Sequence, residues 1–127
     1  MDDFRSGFYL TFRVGRQEFA MEAGPVKAIL PAHELLSLDD PDPEWLVGEA
    51  KFNGETFPVI DLRAKLNLRH GISGRTPCIV AVDTDGLKGF LADAVTEIVH
   101  ARAHDYRNGK LRIGRPRTIM ATSELNK

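Results

Sequence analysis

Asn53-Gly54 is a turn signal with essentially one good solution, a two-residue hairpin loop whose central residues both take positive φ. Ala50 and Phe52 alternate with Lys51 and Asn53 before it, so the chain approaches the loop as a strand. Similar punctuation recurs along the 127 residues. Gly15-Arg16 fits a hairpin loop with glycine first. Before it, Phe8, Leu10, Phe12 and Val14 alternate with Tyr9, Thr11 and Arg13; after it, Phe19 and Met21 share one face, Glu18 and Ala20 the other. Gly24-Pro25 breaks this pattern ahead of Val26, Ile29 and Leu30, a short apolar turn or strand. Asp39-Asp40-Pro41-Asp42-Pro43 reads as a loop running into a helical turn at Trp45-Leu46, and residues 70–74 as another loop. Residues 78–82 are apolar on both faces, as a fully buried strand requires. Asp83-Thr84-Asp85-Gly86 turns the chain, residues 90–93 return it, and residues 95–102 alternate again. Arg107-Asn108-Gly109-Lys110 is a further turn, and residues 118–121 form a last strand. Many short strands with regular turns predict an all-β fold of small barrels and not a layered α/β sheet.

One place switches to helical spacing. Phe57-Pro58-Val59-Ile60 reads as a strand, with Pro58 placing it at or beside a sheet edge because proline cannot donate to a ladder. Asp61 suits an N-cap, Leu62 and Leu66 fall four apart on one helical face, and Lys65 favours the helix C-terminal end.

The bulk numbers set bounds on function. A chain of this length makes one domain, over residues 1–127, with one sizeable core or two small ones sharing an interface. With 43% hydrophobic and 28% charged residues it has the balance of a folded globular protein. A net charge of −1 gives no global attraction to nucleic acid or membrane. The single cysteine, Cys78, suits a reducing compartment, and the acidic start Met1-Asp2-Asp3 lacks the basic opening of a signal peptide, so the expected location is the cytoplasm. No apolar run approaches the length needed to insert in a membrane. Charge is unevenly spread: residues 34–61 hold eight acids against Lys51, while Arg102, Arg107, Lys110, Arg112, Arg115 and Arg117 stand against Asp105 alone. These are either two solvated stretches that partly pair with each other or two complementary contact surfaces.

Catalytic chemistry finds little support. Apolar neighbours would raise the Cys78 pKa, which makes it a structural cysteine. His100 and His104 have a metal spacing only on a helix, and their flanks are strand-like. Residues 83–86 lack the closing glutamate of a calcium loop. No glycine-rich phosphate loop and no nucleophile elbow occurs, so neither enzymatic activity nor a cofactor is expected.

Several blocks in a shared order carry a resemblance to a known family. They are Tyr9-Leu10-Thr11-Phe12-Arg13-Val14-Gly15 with Glu18-Phe19-Ala20, then Val26-Lys27-Ala28-Ile29-Leu30, then Gly48 and Gly54. Pro58-Val59-Ile60-Asp61-Leu62-Arg63 and Gly89-Phe90-Leu91-Ala92-Asp93-Ala94-Val95-Thr96-Glu97-Ile98 follow. Over about three quarters of its length the chain resembles the CheW family, scaffolds that couple chemoreceptors to the histidine kinase CheA. The resemblance implies two small SH3-like five-stranded β-barrels on a shared apolar core, with one or two short helices. Phe12, Phe52, Phe57, Val59, Val80, Val82 and Phe90 would be core, as the strand periodicity also suggests. It implies a non-catalytic adaptor that binds the regulatory domain of a CheA-type kinase and the cytoplasmic tip of a methyl-accepting chemoreceptor. The receptor-facing positions by resemblance are Val26, Ala28, Leu30, Lys51 and Asn53.

Three departures stand out. Ala28 replaces the family's usual glutamate, and Lys51 and Asn53 replace the asparagine and arginine of Asn-Leu-Arg. Either the charged receptor contact is lost, or Asn53 is simply the best residue for a positive-φ turn and Ala28 a harmless neighbour. Only residues 101–117 separate the strand near Ile98 from that near Ile119, which leaves one barrel short of a strand. An open edge there would favour strand addition by a partner or weak self-association, with Arg102, Arg107, Arg112, Arg115 and Arg117 as the surface. The competing reading is a nucleic-acid-binding barrel that uses the same arginines; with only Tyr106 among them to stack on bases, it is the weaker one.

Overall fold

A computed structural model describes residues 4–37, 45–65 and 77–121. In chain order the strands are β1 Gly7–Val14, β2 Gln17–Glu22, β3 Val26–Pro31, β4 Leu36–Ser37, β5 Leu46–Phe52 and β6 Glu55–Asp61. A four-residue helix α1, Leu62–Lys65, leads on to β7 Cys78–Asp83, β8 Leu87–Ala92, β9 Ala94–Ala101, β10 Tyr106–Arg107, β11 Lys110–Ile113 and β12 Arg115–Ile119. Short 3-10 turns occupy Ala32–Glu34 and Ala103–Asp105. Two six-stranded sheets result, ordered β10-β11-β12-β2-β1-β9 and β3-β7-β8-β6-β5-β4. Each has five longer strands and one of two residues, which agrees with the expected five-stranded pair.

Both sheets curl. Ala28 and Leu30 of β3 pack on the same buried cluster as Val47, Ala50 and Phe52 of β5, although three strands separate β3 and β5 in the sheet order. A flat sheet would hold such strands about 19 Å apart, at ~4.8 Å per step. In the first sheet Val99 and Ala101 of β9 likewise meet Leu111 and Ile113 of β11 around Tyr9 and Ala20. Between the two curled sheets lies a third cluster. Leu10, Phe12, Val14, Phe19 and Met21 meet Ile60, Leu62, Val80, Val82 and Phe90 there, with the Phe12 and Phe90 ring centroids 5.0 Å apart. Strand alternation explains the arrangement: in β7, Ile79 and Ala81 point into their own barrel while Val80 and Val82 point into the shared core. That is why residues 78–82 are apolar on both faces.

The turns follow the chemistry of their residues. Asn53 and Gly54 have φ of 51° and 79°, Asn108 and Gly109 of 53° and 78°. Both loops are two-residue hairpins, closed by Phe52–Glu55 and Arg107–Lys110. Six of the seven expected core residues are at most 1% exposed; Phe52 is half-buried against the second cluster.

Several expectations need correction. The strand with Pro58 is no edge: β6 lies between β8 and β5. Counting from the hydrogen-bonded closing pair Phe52–Glu55, Pro58–Glu49 is a non-hydrogen-bonded pair, so the missing N–H points away from β5. On the other side the parallel ladder with β8 begins only at Val59. Leu46 opens strand β5, where a helical turn was expected. Tyr9 and Thr11 are buried, not solvent-facing, because the first barrel closes over that side of β1. Residues 101–117 do not lack a strand; they form β10, β11 and most of β12, so the barrel expected to be incomplete has its full set. Leu66, residues 70–74 and the acidic residues Asp39, Asp40, Asp42 and Glu44 lie outside the described residues.

Candidate partner-binding surface

The junction at Asp61 is built as its residues dictate. Asp61 Oδ1 accepts the Arg63 backbone N–H at 3.0 Å, the N-cap bond, while the Arg63 guanidinium grips the same carboxylate at 3.0 and 2.8 Å. That contact holds the Arg63 pKa above its ordinary value. Lys65, at the helix end, lies 4.2 Å over the Trp45 ring. The Pro58–Arg63 block therefore stabilises a strand-to-helix turn on the shared core, and its charges are spent within the fold. Asp93 does similar work, accepting the Gly15 N–H in a short hydrogen bond while its own N–H donates to the Arg13 carbonyl. It ties the end of the second sheet to the first hairpin.

The residues that the resemblance marks as receptor-facing fall around the second barrel. Val26, Ala28 and Leu30 are on β3, an edge strand. A register shift between Val26 and Ala28 sends Val26 to the shared core and Ala28 and Leu30 to the barrel interior. Lys27, Ile29 and Pro31 are left outward, with Ile29 47% exposed. Lys51 and Asn53 are exposed at the β5–β6 hairpin, and Phe52 between them packs on the cluster that Ala28 and Leu30 line. The structure thus gathers the two groups on one small barrel. Sequence reasoning did not single out three other exposed apolar residues: Leu36 on β4, Phe8 on β1 and Ile98 on β9. Phe8 and Ile98 sit on one face, since Phe8 pairs with His100 and Leu10 with Ile98. The alternation that identified these strands also marks that face as apolar, but it cannot say how far the partner sheet reaches.

The arginines divide. Arg117 is 7% exposed, with Nη1 donating to the Ile113 carbonyl at 2.8 Å and Nη2 to Glu97 Oε1 at 3.0 Å. It crosses from β12 to the end strand β9, two strands away from β12's neighbour β2 in the sheet order, and so helps close the first barrel; it is not a surface group. Arg115 pairs with Glu18 at 3.2 Å. Arg102, Arg107 and Arg112 are exposed. Inside the same barrel the β1–β9 ladder slips by one residue at Thr11, leaving Thr96 unpaired. Thr11 Oγ1 accepts the Glu97 N–H and the Thr96 hydroxyl donates to the Thr11 carbonyl, both at 3.1 Å, so side chains take over hydrogen bonds that the ladder loses at the slip. Tyr106 turns inward, stacked on Phe4 at 4.9 Å. His100 is on β9 and His104 in a 3-10 turn, not on one helix face. Burial pushes the Cys78 thiol up, away from a reactive thiolate. Among the described residues no helix is long and apolar enough to cross a membrane.

Comparison with known proteins agrees with this architecture. A family model described as the CheW-like domain matches residues 9–127. A probable chemotaxis protein CheW from Rhizobium etli is 30% identical over 91 residues, covering 71% of this chain and 58% of that protein, so the chain spans less than two thirds of its relative. The crystal structure of the scaffolding protein TtCheW from Thermoanaerobacter tengcongensis superposes with a TM-score of 0.69 at 17% identity, over 80% of this chain and 66% of that one. Two barrels joined through a shared core, with a family-model match that runs from β1 past the last strand, make this chain a member of the CheW-like domain family.

Proposed function

We propose that the protein is a non-catalytic adaptor of a chemotaxis-type signalling system, acting in the cytoplasm to hold a chemoreceptor tip and the regulatory domain of a CheA-type histidine kinase together. The match to the CheW-like domain over residues 9–127 carries this reading. The interior supports it: the buried polar side chains Thr11, Asp93 and Arg117 are each committed to backbone or side-chain partners of the fold. The kinase domain is the firmer partner. For the receptor, Ala28 and Asn53 stand where relatives carry glutamate and arginine; Asn53 is exposed at the hairpin while Ala28 is half-buried on the edge strand β3, so the charged pair is absent and capture of a receptor tip is weaker than in relatives that have it.

The test is Ala28→Glu with Asn53→Arg, measured by receptor-tip binding. Each charge-assisted hydrogen bond is worth about 1.5–3 kcal/mol, so affinity should rise roughly tenfold or more. Arginine at a φ of 51° strains the turn by about 1–2 kcal/mol, and a glutamate at half-buried Ala28 must reach past the strand edge to water or carry a desolvation cost, so a thermal melt accompanies the titration. Unchanged affinity in a folded double variant would place receptor binding elsewhere on the molecule.

A further inference from the structure

Three cations share one face of the first barrel. Alternation along β11 turns Leu111 inward and Lys110 and Arg112 outward, and the two-residue loop sets Arg107 of β10 directly opposite Lys110. Directly opposed residues in an antiparallel pair hold their Cβ atoms about 5 Å apart, where like charges repel. Along β11, Lys110 and Arg112 are about 7 Å apart, two residues at ~3.4 Å each. All three side chains are exposed, and among the described residues none forms an ion pair, whereas Arg115 and Arg117 of the next strand are both paired. The rest of the face is Pro116 and Thr118, opposite Arg112 and Lys110. Among the described residues it holds no carboxylate and no aromatic ring. Tyr106, the one ring in the segment, faces the interior opposite Leu111.

From this arrangement we propose that the outward face of β10, β11 and β12 docks an acidic protein segment, with Arg107, Lys110 and Arg112 as its anchors. A strand pair that keeps two cations face to face, and a third beside them, has a potential that suits carboxylates spaced about 5–7 Å apart, as on alternate residues of an extended segment. The guanidinium forks of Arg107 and Arg112 can each take a carboxylate bidentately, and Lys110 adds a point charge between them. Nucleic acid is a poorer fit, because single-strand binders pair their cations with outward rings on which bases stack, and this face has none. The face is also separate from β3 and the β5–β6 hairpin, so the proposal does not depend on the adaptor reading.

The probe is a synthetic peptide of alternating glutamate and threonine, with a glutamine-for-glutamate copy as control, titrated against the whole protein by fluorescence anisotropy. Binding of the glutamate peptide is expected, weakening roughly tenfold between low and physiological salt as exposed pairs are screened, with no binding of the glutamine copy. The triple variant R107T/K110T/R112T is expected to lose the peptide at least tenfold while melting at the wild-type temperature or above, since it removes a like-charge contact. A lower melting temperature with peptide affinity retained would make these residues structural and overturn the proposal. It would equally fail if a DNA duplex displaced the peptide and bound more tightly, or if the triple variant abolished self-association in sedimentation while the wild type ignored the peptide. Retained kinase-domain binding in the triple variant keeps this test independent of the adaptor reading.

Discussion

Replacing Arg117 by alanine separates two accounts of the arginine-rich segment. If the segment were a solvated surface, the change would fall within about ±0.5 kcal/mol, as most exposed substitutions do. The structure gives Arg117 three jobs. Its hydrogen bond to the Ile113 carbonyl, from a charged donor, contributes about 1.5–3 kcal/mol. Its ion pair with Glu97 contributes under ~1 kcal/mol, because the Glu97 side chain is 52% exposed and solvent screens the pair. Its aliphatic stem packs opposite Leu111 inside the barrel, worth about 1 kcal/mol of buried apolar surface. The sum is about 2.5–5 kcal/mol, or roughly 10–20 °C in melting temperature for a domain of this size. Thermal denaturation followed by circular dichroism measures it, with three companions. Arg117→Met keeps the stem and should lose less, Glu97→Gln should cost under ~1 kcal/mol, and exposed Arg112→Ala should be near neutral. An Arg117→Ala protein melting within about 2 °C of wild type, level with Arg112→Ala, would refute the reasoning.

Gly89 is fixed by space: a Cβ there would lie 2.8 Å from Phe57 Cε2 and 3.1 Å from Ile79 Cγ2. Gly89→Ala should therefore cost about 1–3 kcal/mol in urea unfolding, with Gly24→Ala, which meets nothing within 4 Å, as a neutral control. Asn53→Ala should destabilise by about 1 kcal/mol while Asn53→Gly is near neutral, because φ is 51°; equal stabilities would mean that the turn relaxes. Cys78 gives a pH dependence. Burial raises its folded pKa above the unfolded value, so the stability it contributes is full below the ordinary thiol range and is lost as pH rises through about 9 towards the folded value. The urea midpoint of wild type should fall more steeply between about pH 8 and 10 than that of Cys78→Ala; parallel profiles would contradict this.

The features legible in the sequence were those set by local chemistry. Asn53-Gly54 and Asn108-Gly109 announce positive φ, Asp61 announces a cap, and residues 78–82 announce a strand buried on both sides. What the sequence hid depends on which face a neighbouring element covers. Tyr9 and Thr11 look solvent-facing until β11 and β12 fold over them. Pro58 marks an edge only if its strand pairs along its whole length, and here one ladder starts a residue later. The strands β10 and β11 were readable, since Lys110-Leu111-Arg112-Ile113 alternates immediately after a hairpin signal. Their charge density obscured them. Arg117 could not have been placed from sequence, because a buried arginine looks like an exposed one until its carbonyl and carboxylate partners are positioned. For the residues expected to face a receptor, the gathering of Ala28 and Leu30 beside Phe52, the neighbour of Lys51 and Asn53, emerged only from the curl of the second sheet.

Isothermal titration against the regulatory domain of a CheA-type kinase from the same cell tests the proposed adaptor role most directly. Saturable binding in the micromolar range, about −8 kcal/mol, is the expected result. No heat and no co-elution at about 100 μM, well above that dissociation constant, would contradict it.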